Sequence, residues 1–134
     1  MMRFIDSNVF VYHLAGDLKY GDRSTEILES VEKGEKAATS TIVLIQVCSY
    51  LKWKRREKVI PIFLSLLKGL ASLQKMETTF IDFEEARDLQ FKLKLPWRMW
   101  DDLVIAVQMK RNGIDEIYSN DSDFDKIPFV KRVF

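Results

Sequence analysis

The chain has one cysteine, one histidine, almost no net charge and no long apolar run. Each scarcity removes a class of protein. A lone thiol, Cys48, inside the apolar helical run from Ile42 to Trp53 excludes a disulfide framework and reads as a buried, reduced side chain of a cytoplasmic protein. One histidine, His13, cannot build a histidine-rich metal site; it falls on the first helix and reads as a surface or packing residue. Asp6 interrupts the apolar start after a few residues, so no secretory signal is visible, and nothing approaches membrane-spanning length. A formal net charge of +1 excludes a strongly basic nucleic-acid footprint over the whole surface. Charge is segregated instead, because "KWKRREK", Lys52 to Lys58, holds five basic residues and one acid.

What remains is ordinary globular material. With 134 residues, 47% hydrophobic and 31% charged, and no repeat, linker or low-complexity segment, residues 1–134 read as one domain. Short apolar runs read as strands: "MRFID" ending on Asp6, Lys36 to Ser40, Thr78 to Asp82, Glu116 to Ser119 and the C-terminal "VKRVF". Helical stretches lie between them at Arg23 to Lys33, Thr41 to Arg56, Val59 to Gln74, Phe83 to Leu93 and Asp102 to Arg111. Strands alternating with helices predict an α/β fold, a three-layer α/β/α arrangement around a parallel sheet of four to five strands.

In such sheets the ligand site lies beyond the carboxyl ends of the strands. Asp6 ends the first strand, Thr39 and Ser40 the second, and Ser119, Asn120 and Asp121 a later one. The stretch "YSNDSDFDKI" adds Asp123 and Asp125 at alternate positions. It is not an EF-hand loop, because counting from Asp121 puts Lys126 where the turn glycine belongs and Arg132 where the bidentate glutamate belongs. Two further polar residues stand in apolar surroundings: Gln46 in "TIVLIQVCSYL", and Asp102 at the head of "DLVIAVQM". Plain explanations exist for each: a satisfied helical amide for Gln46, turn formation for Asp121 and helix capping for Asp101. Capping is assigned to Asp101, leaving Asp102 as the site candidate. Clustered aspartates are harder to explain singly, because two carboxylates about 4 Å apart repel by roughly 4 kcal/mol at an effective dielectric of about 20. A divalent cation removes the conflict, and oxygen-only ligands favour Mg²⁺ or Mn²⁺ over zinc. Trp97 and Trp100 in "LPWRMWDD" flank this site, although core or interface roles are the commoner use of tryptophan.

The segments "FIDSNVFVY", "STIVLIQVCSYL", "DDLVIAVQMKRNG" and "IYSNDSDFDKIP" resemble, in order and spacing, the successive motifs of PIN-domain ribonucleases. The resemblance spans essentially the whole chain. It implies a Rossmann-like parallel sheet with an acidic pocket and nuclease action on RNA with Mg²⁺ or Mn²⁺. Small prokaryotic members are often VapC-type toxins, silenced by a cognate antitoxin and commonly homodimeric. On the resemblance, Asp6, Asp102 and Asp121 match the metal-site acids, Ser119 and Asn120 support the last acid, Asn8 braces the first loop, and Asp123 is a secondary candidate. Gln46 departs from the pattern, standing where the family usually has glutamate; it keeps the shape of a fourth acid and loses its charge.

The expected chemistry is metal-assisted phosphodiester hydrolysis, with Asp6, Asp102 and Asp121 holding the ion and Gln46 beside it. Lys52, Lys54, Arg55 and Arg56 either guide the RNA backbone or form a solvated helix end. The alternative is a PIN-like module that binds RNA or protein with little or no activity, because Gln46 cannot act as a base. A phosphoacceptor receiver domain fits less well, since it wants paired acids after the first strand and this chain has Asp6 followed by Ser7.

Overall fold

Phe4 and Ile5 fill the first strand, β1 (Arg3–Ile5), and neither retains solvent exposure. Every residue of β2 (Ala37–Ser40) is buried as well, the signature of a strand covered on both faces. The computed structural model describes residues 1–134 and places β1 and β2 at the middle of a five-stranded sheet completed by β3 (Leu73–Met76), β4 (Glu116–Tyr118) and β5 (Lys131–Val133). All pairings are parallel, in the order β3-β2-β1-β4-β5. The strand order reverses between β1 and β4. That is where an open α/β sheet leaves a crevice at its carboxyl edge.

Six helices make the connections: α1 (Ser7–Ala15), α2 (Gly21–Glu32), α3 (Thr41–Trp53), α4 (Ile60–Gly69), α5 (Phe80–Leu93) and α6 (Trp100–Arg111). The chain crosses one way from β1 through β2 to β3 and back from β3 to β4, so the right-handed rule puts α1 to α4 on one face and α5 with α6 on the other, the expected three-layer α/β/α fold. Leu103 to Met109 of α6 are all buried, so this helix is covered on every side. Phe4, Phe10, Phe63 and Phe124 anchor a single core cluster of 31 residues, each ring contributing about 1.5–3 kcal/mol by leaving water. The turn between α1 and α2 is tight: Gly16 has φ 60°, and a Cβ on Gly21 would sit 3.3 Å from the Gly16 backbone. None of the helices is long and apolar enough to cross a membrane.

The structure corrects the expected boundaries in the middle of the chain. Thr78 to Asp82 is not a strand; the strand lies earlier, at Leu73–Met76, and α4 stops at Gly69 rather than running to Gln74. A capping box explains the displacement, since the Thr79 side chain accepts from the third helical residue and the Thr79 N–H donates to the Asp82 carboxylate at 2.8 Å. Asp82 is therefore inside the helix and fully buried, where it also accepts from Gln108 at 3.0 Å and pairs with Arg111. The third helix ends at Trp53, three residues before Arg56, because Arg55 turns into the left-handed region at φ 56°.

Candidate acidic site

Asp6 emerges from the carboxyl end of β1 and is only 4% exposed. Its carboxylate caps α1 by accepting from the Ser7 N–H at 2.7 Å. On its other oxygen it accepts from the Ser119 hydroxyl at 2.6 Å and the Asn8 amide at 3.2 Å. Burial pushes its protonation upward, the Ser119 and Ser7 hydrogen bonds oppose that, and the nearby Asp121 charge adds to it, leaving the carboxyl raised. Ser119 is fully buried and also accepts from the Asp121 N–H at 3.0 Å, while Asn8 accepts from the Asn120 N–H at 3.2 Å. Asn120 donates to the Tyr12 hydroxyl at 3.1 Å. Asn8 and Ser119 thus stitch the ends of β1 and β4 together across the crevice. Register between the two strands fixes where Asp6 and Asp121 stand.

Three carboxylates meet there. Oxygens of Asp102, Asp121 and Asp123 all lie within 4.8 Å of one another. Asp102 comes from the first turn of α6; Asp121 opens the short 3-10 turn Ser122–Lys126 and accepts from the Asp123 N–H at 2.9 Å. Burial, then the charges of Asp6, Asp121, Asp123 and Asp101, push the Asp102 carboxyl up to about 8. Asp6 belongs to the same field but not to this close trio. Asp123 differs from its neighbours: burial works to raise it, but hydrogen bonds from Lys126 at 3.2 Å and Arg98 at 3.0 Å leave it lowered.

At the rim, Gln46 donates its amide N–H to Asp101 at 3.0 Å, and its carbonyl oxygen is buried without a partner. This corrects the assignment of Asp101 to capping: the cap position of α6 is Met99, no side chain caps it, and Asp101 accepts from Gln46 instead. Ser40 occupies the cap position of α3, fully buried, but its hydroxyl makes no hydrogen bond; the Thr78 hydroxyl accepts the Ile42 N–H at 3.1 Å in its place. Asp125 forms a two-pronged pair with Arg132 at 3.1 and 3.0 Å. His13 bonds Thr25 at 2.7 Å, a packing role.

Lys52, Lys54, Arg55 and Arg56 are exposed at the far end of α3. A cavity of about 390 Å³ lined by Ser7, Asn8, Gln46 and Tyr50 shares Val11, Ala15 and Tyr50 with one of about 190 Å³ that reaches Lys54 and Arg56. The two adjoin between α1 and α3, with Asn8 and Gln46, which bond Asp6 and Asp101, toward one end and Lys54 and Arg56 toward the other. The largest cavity, about 460 Å³ between α5, α6 and Phe129, contains none of the site residues, and its position carries no chemistry that the acids share. Trp97 is 64% exposed and stands 5.8 Å from Trp100, which in turn stacks with Phe83 at 6.4 Å. Sequence reasoning missed Arg98; its place four residues before Asp102 in "RMWDD" was the available signal, and nothing local showed that it would meet Asp123.

In chemical terms the site gathers carboxylate oxygens with no thiol or histidine among them, a donor set suited to a hard divalent cation. The family model of the PIN domain matches residues 3–130. Among solved structures, a sarcin-ricin loop cleaving toxin, VapC20 of Mycobacterium tuberculosis, superposes with a TM-score of 0.80 at 16% identity, covering 97% of each chain. A chain of VapBC2 from Rickettsia felis, bound to a fragment of promoter DNA, gives 0.72 at 20% identity over 99% of this chain and 98% of the other. A toxin-antitoxin complex from Klebsiella pneumoniae gives 0.67 at 18% identity over 96% and 95%. No curated protein matches the sequence at a significant level.

Proposed function

The chain belongs to the PIN domain family, and on that premise we propose that it is a divalent-metal-dependent endoribonuclease, the toxin of a toxin–antitoxin pair. One observation carries the proposal: three carboxylates crowd within 4.8 Å, and burial together with the charges of Asp6, Asp121 and Asp123 lifts Asp102 to about 8. Of the three only Asp123 has cationic partners, and a hard dication fits the donor set that Asp102 and Asp121 leave unpaired. Asp102, Asp121 and Asp123 would hold Mg²⁺ or Mn²⁺, with Asp6 adding its charge from behind. When bound, the ion supplies Lewis-acid polarisation of the phosphodiester and activation of water.

The remaining work falls to the chain itself. Ser119 and Asn8 hold Asp6 in place through hydrogen bonds at 2.6 and 3.2 Å. Ser119 also fixes the backbone of Asp121, so both acids answer to one buried hydroxyl. Lys54 and Arg56 offer phosphate contacts at the end of the α1–α3 cavities, adding affinity without sequence choice. The structural neighbours VapBC2 and the Klebsiella complex support an antitoxin partner. The exposed apolar side chains Phe80, Ile81 and Phe91 of α5 support a protein interface, in keeping with a homodimer. A cytoplasmic location fits the single free thiol.

A second reading has its own support. Gln46 satisfies Asp101 as a neutral donor, and a neutral side chain there would leave a module that binds RNA with weak or no hydrolysis. Titration calorimetry with Mn²⁺ tests the common core of both readings: binding to the parent chain that is lost in Asp121→Asn supports the metal site, and equal binding by both proteins refutes it.

A further inference from the structure

Arg98 is the one arginine that touches the acidic trio, and the expected mechanism has no task for it. It sits on the 3-10 turn Trp97–Met99, ahead of α6, and reaches Asp123 with a single N–H at 3.0 Å. That is its only hydrogen bond, and its side chain remains 59% exposed. A guanidinium has five donors in a fixed fork, so four have no protein partner. Asp123 is already neutralised by Lys126 at 3.2 Å, so charge balance at Asp123 does not require a second cation. The next residue back, Trp97, is 64% exposed and packs at a tilt of 44° on Trp100, which stacks with Phe83.

We propose that Arg98 grips a backbone phosphate of single-stranded RNA beside the acidic trio, with the ring of Trp97 stacking the adjoining base. The inference rests on the ribonuclease reading for its substrate and deepens it by naming the residues that hold the strand. A bidentate fork suits a phosphate, and an exposed indole suits an unstacked base of a single strand. With the charge of the acids offset by a divalent ion, Arg98 and Lys126 attract a polyanion and repel a protein segment that brings its own cation, which selects RNA as the occupant. Asp123 serves as the tether that holds the fork at the right edge.

The test reads RNA affinity separately from cleavage. Anisotropy of a labelled mixed-sequence single-stranded RNA is measured with Ca²⁺ in place of Mn²⁺, and Mn²⁺ affinity is measured by calorimetry without RNA. Arg98→Ala is expected to weaken RNA binding about 10-fold and to lower the salt dependence by about one phosphate contact, with Mn²⁺ binding equal or tighter. Arg98→Lys should recover part of the loss, since it restores charge but not the fork. Trp97→Ala should weaken binding about 5-fold with the salt dependence unchanged. Lys126→Ala separates a contact with RNA from an effect relayed through Asp123: equal RNA losses in Arg98→Ala and Lys126→Ala, accompanied by equal shifts in Mn²⁺ affinity, overturn the proposal. RNA binding by Arg98→Ala within twofold of the parent overturns it too, as does preference of the parent for a duplex of the same sequence. A parent that binds RNA through Arg98 yet never cuts it with Mn²⁺ leaves this inference standing and refutes the ribonuclease reading alone.

Discussion

Gln46 and Asp101 are joined across the mouth of the site by a 3.0 Å hydrogen bond from the glutamine amide to the carboxylate. The bond ties α3 to the first turn of α6, on opposite faces of the sheet. It also makes Gln46, which the sequence resemblance reads as replacing a fourth acid, a donor toward one of the existing acids.

Replacing that donor by an acceptor gives the sharpest local test. Gln46→Glu sets two carboxylates at hydrogen-bond distance, and at about 4 Å and an effective dielectric of about 20 they would repel by roughly 4 kcal/mol. Asp101 is exposed, so screening reduces this to about 1 kcal/mol or less. The metal-free melting temperature should fall by a few degrees and recover in Mn²⁺, because a ligand of the folded state stabilises it by mass action. Identical melting of variant and parent, with and without Mn²⁺, would show that the charge of residue 46 is not felt by the site.

The elevated carboxyl of Asp102 makes a signed prediction for pH. Its value of about 8 in the folded chain lies far above the roughly 3.9 of an unfolded aspartate, so the native state retains a proton that the unfolded state has released. Stability of the metal-free protein therefore falls as pH rises from about 4 to about 8, and Asp6, shifted the same way, adds to the trend. The lowered carboxyls of Asp82, Asp123 and Asp125 act only at more acid pH and do not mask it. Melting curves between pH 5 and 8 check this, and Asp102→Asn should flatten them. Mn²⁺ affinity should rise over the same interval, since binding displaces the proton. A metal-free midpoint that climbs toward pH 8 would contradict the assignment.

Asp82 supplies a structural control. It is fully buried, and its three partners are the Thr79 N–H, Gln108 and Arg111. Asp82→Ala strands the Thr79 N–H, while Gln108 keeps Thr78 and Arg111 keeps Glu85, and should cost about 2–4 kcal/mol by denaturant unfolding. Mn²⁺ affinity of the folded variant should equal that of the parent. A large loss of metal binding would mean that the α5–α6 network governs the site.

Much of the site was legible because strand ends are short-range features. Asp6, Asp121, Ser119 and Asn120 follow β1 and β4 directly in sequence, and parallel pairing brings strand ends together without further information. The alternation of strands and helices gave the layers for the same reason. The middle of the chain misled because Thr79 and Asp82 carry a capping box inside a run that also suits a strand, and only burial of Asp82 against Gln108 and Arg111 decides between them. Asp101 and Asp102 could not be told apart by capping propensity, since the deciding contact comes from Gln46, 55 residues away. Arg98 escaped for the same cause: its partner Asp123 lies 25 residues on.

Cleavage of a labelled single-stranded RNA by purified parent, Asp102→Asn and Asp121→Asn, in Mn²⁺ and in EDTA, tests the central claim most directly. The account predicts cutting by the parent in Mn²⁺ alone, and a loss of at least about 100-fold in each variant with its melting transition intact. Equal cutting by parent and Asp121→Asn, or undiminished cutting in EDTA, would contradict it.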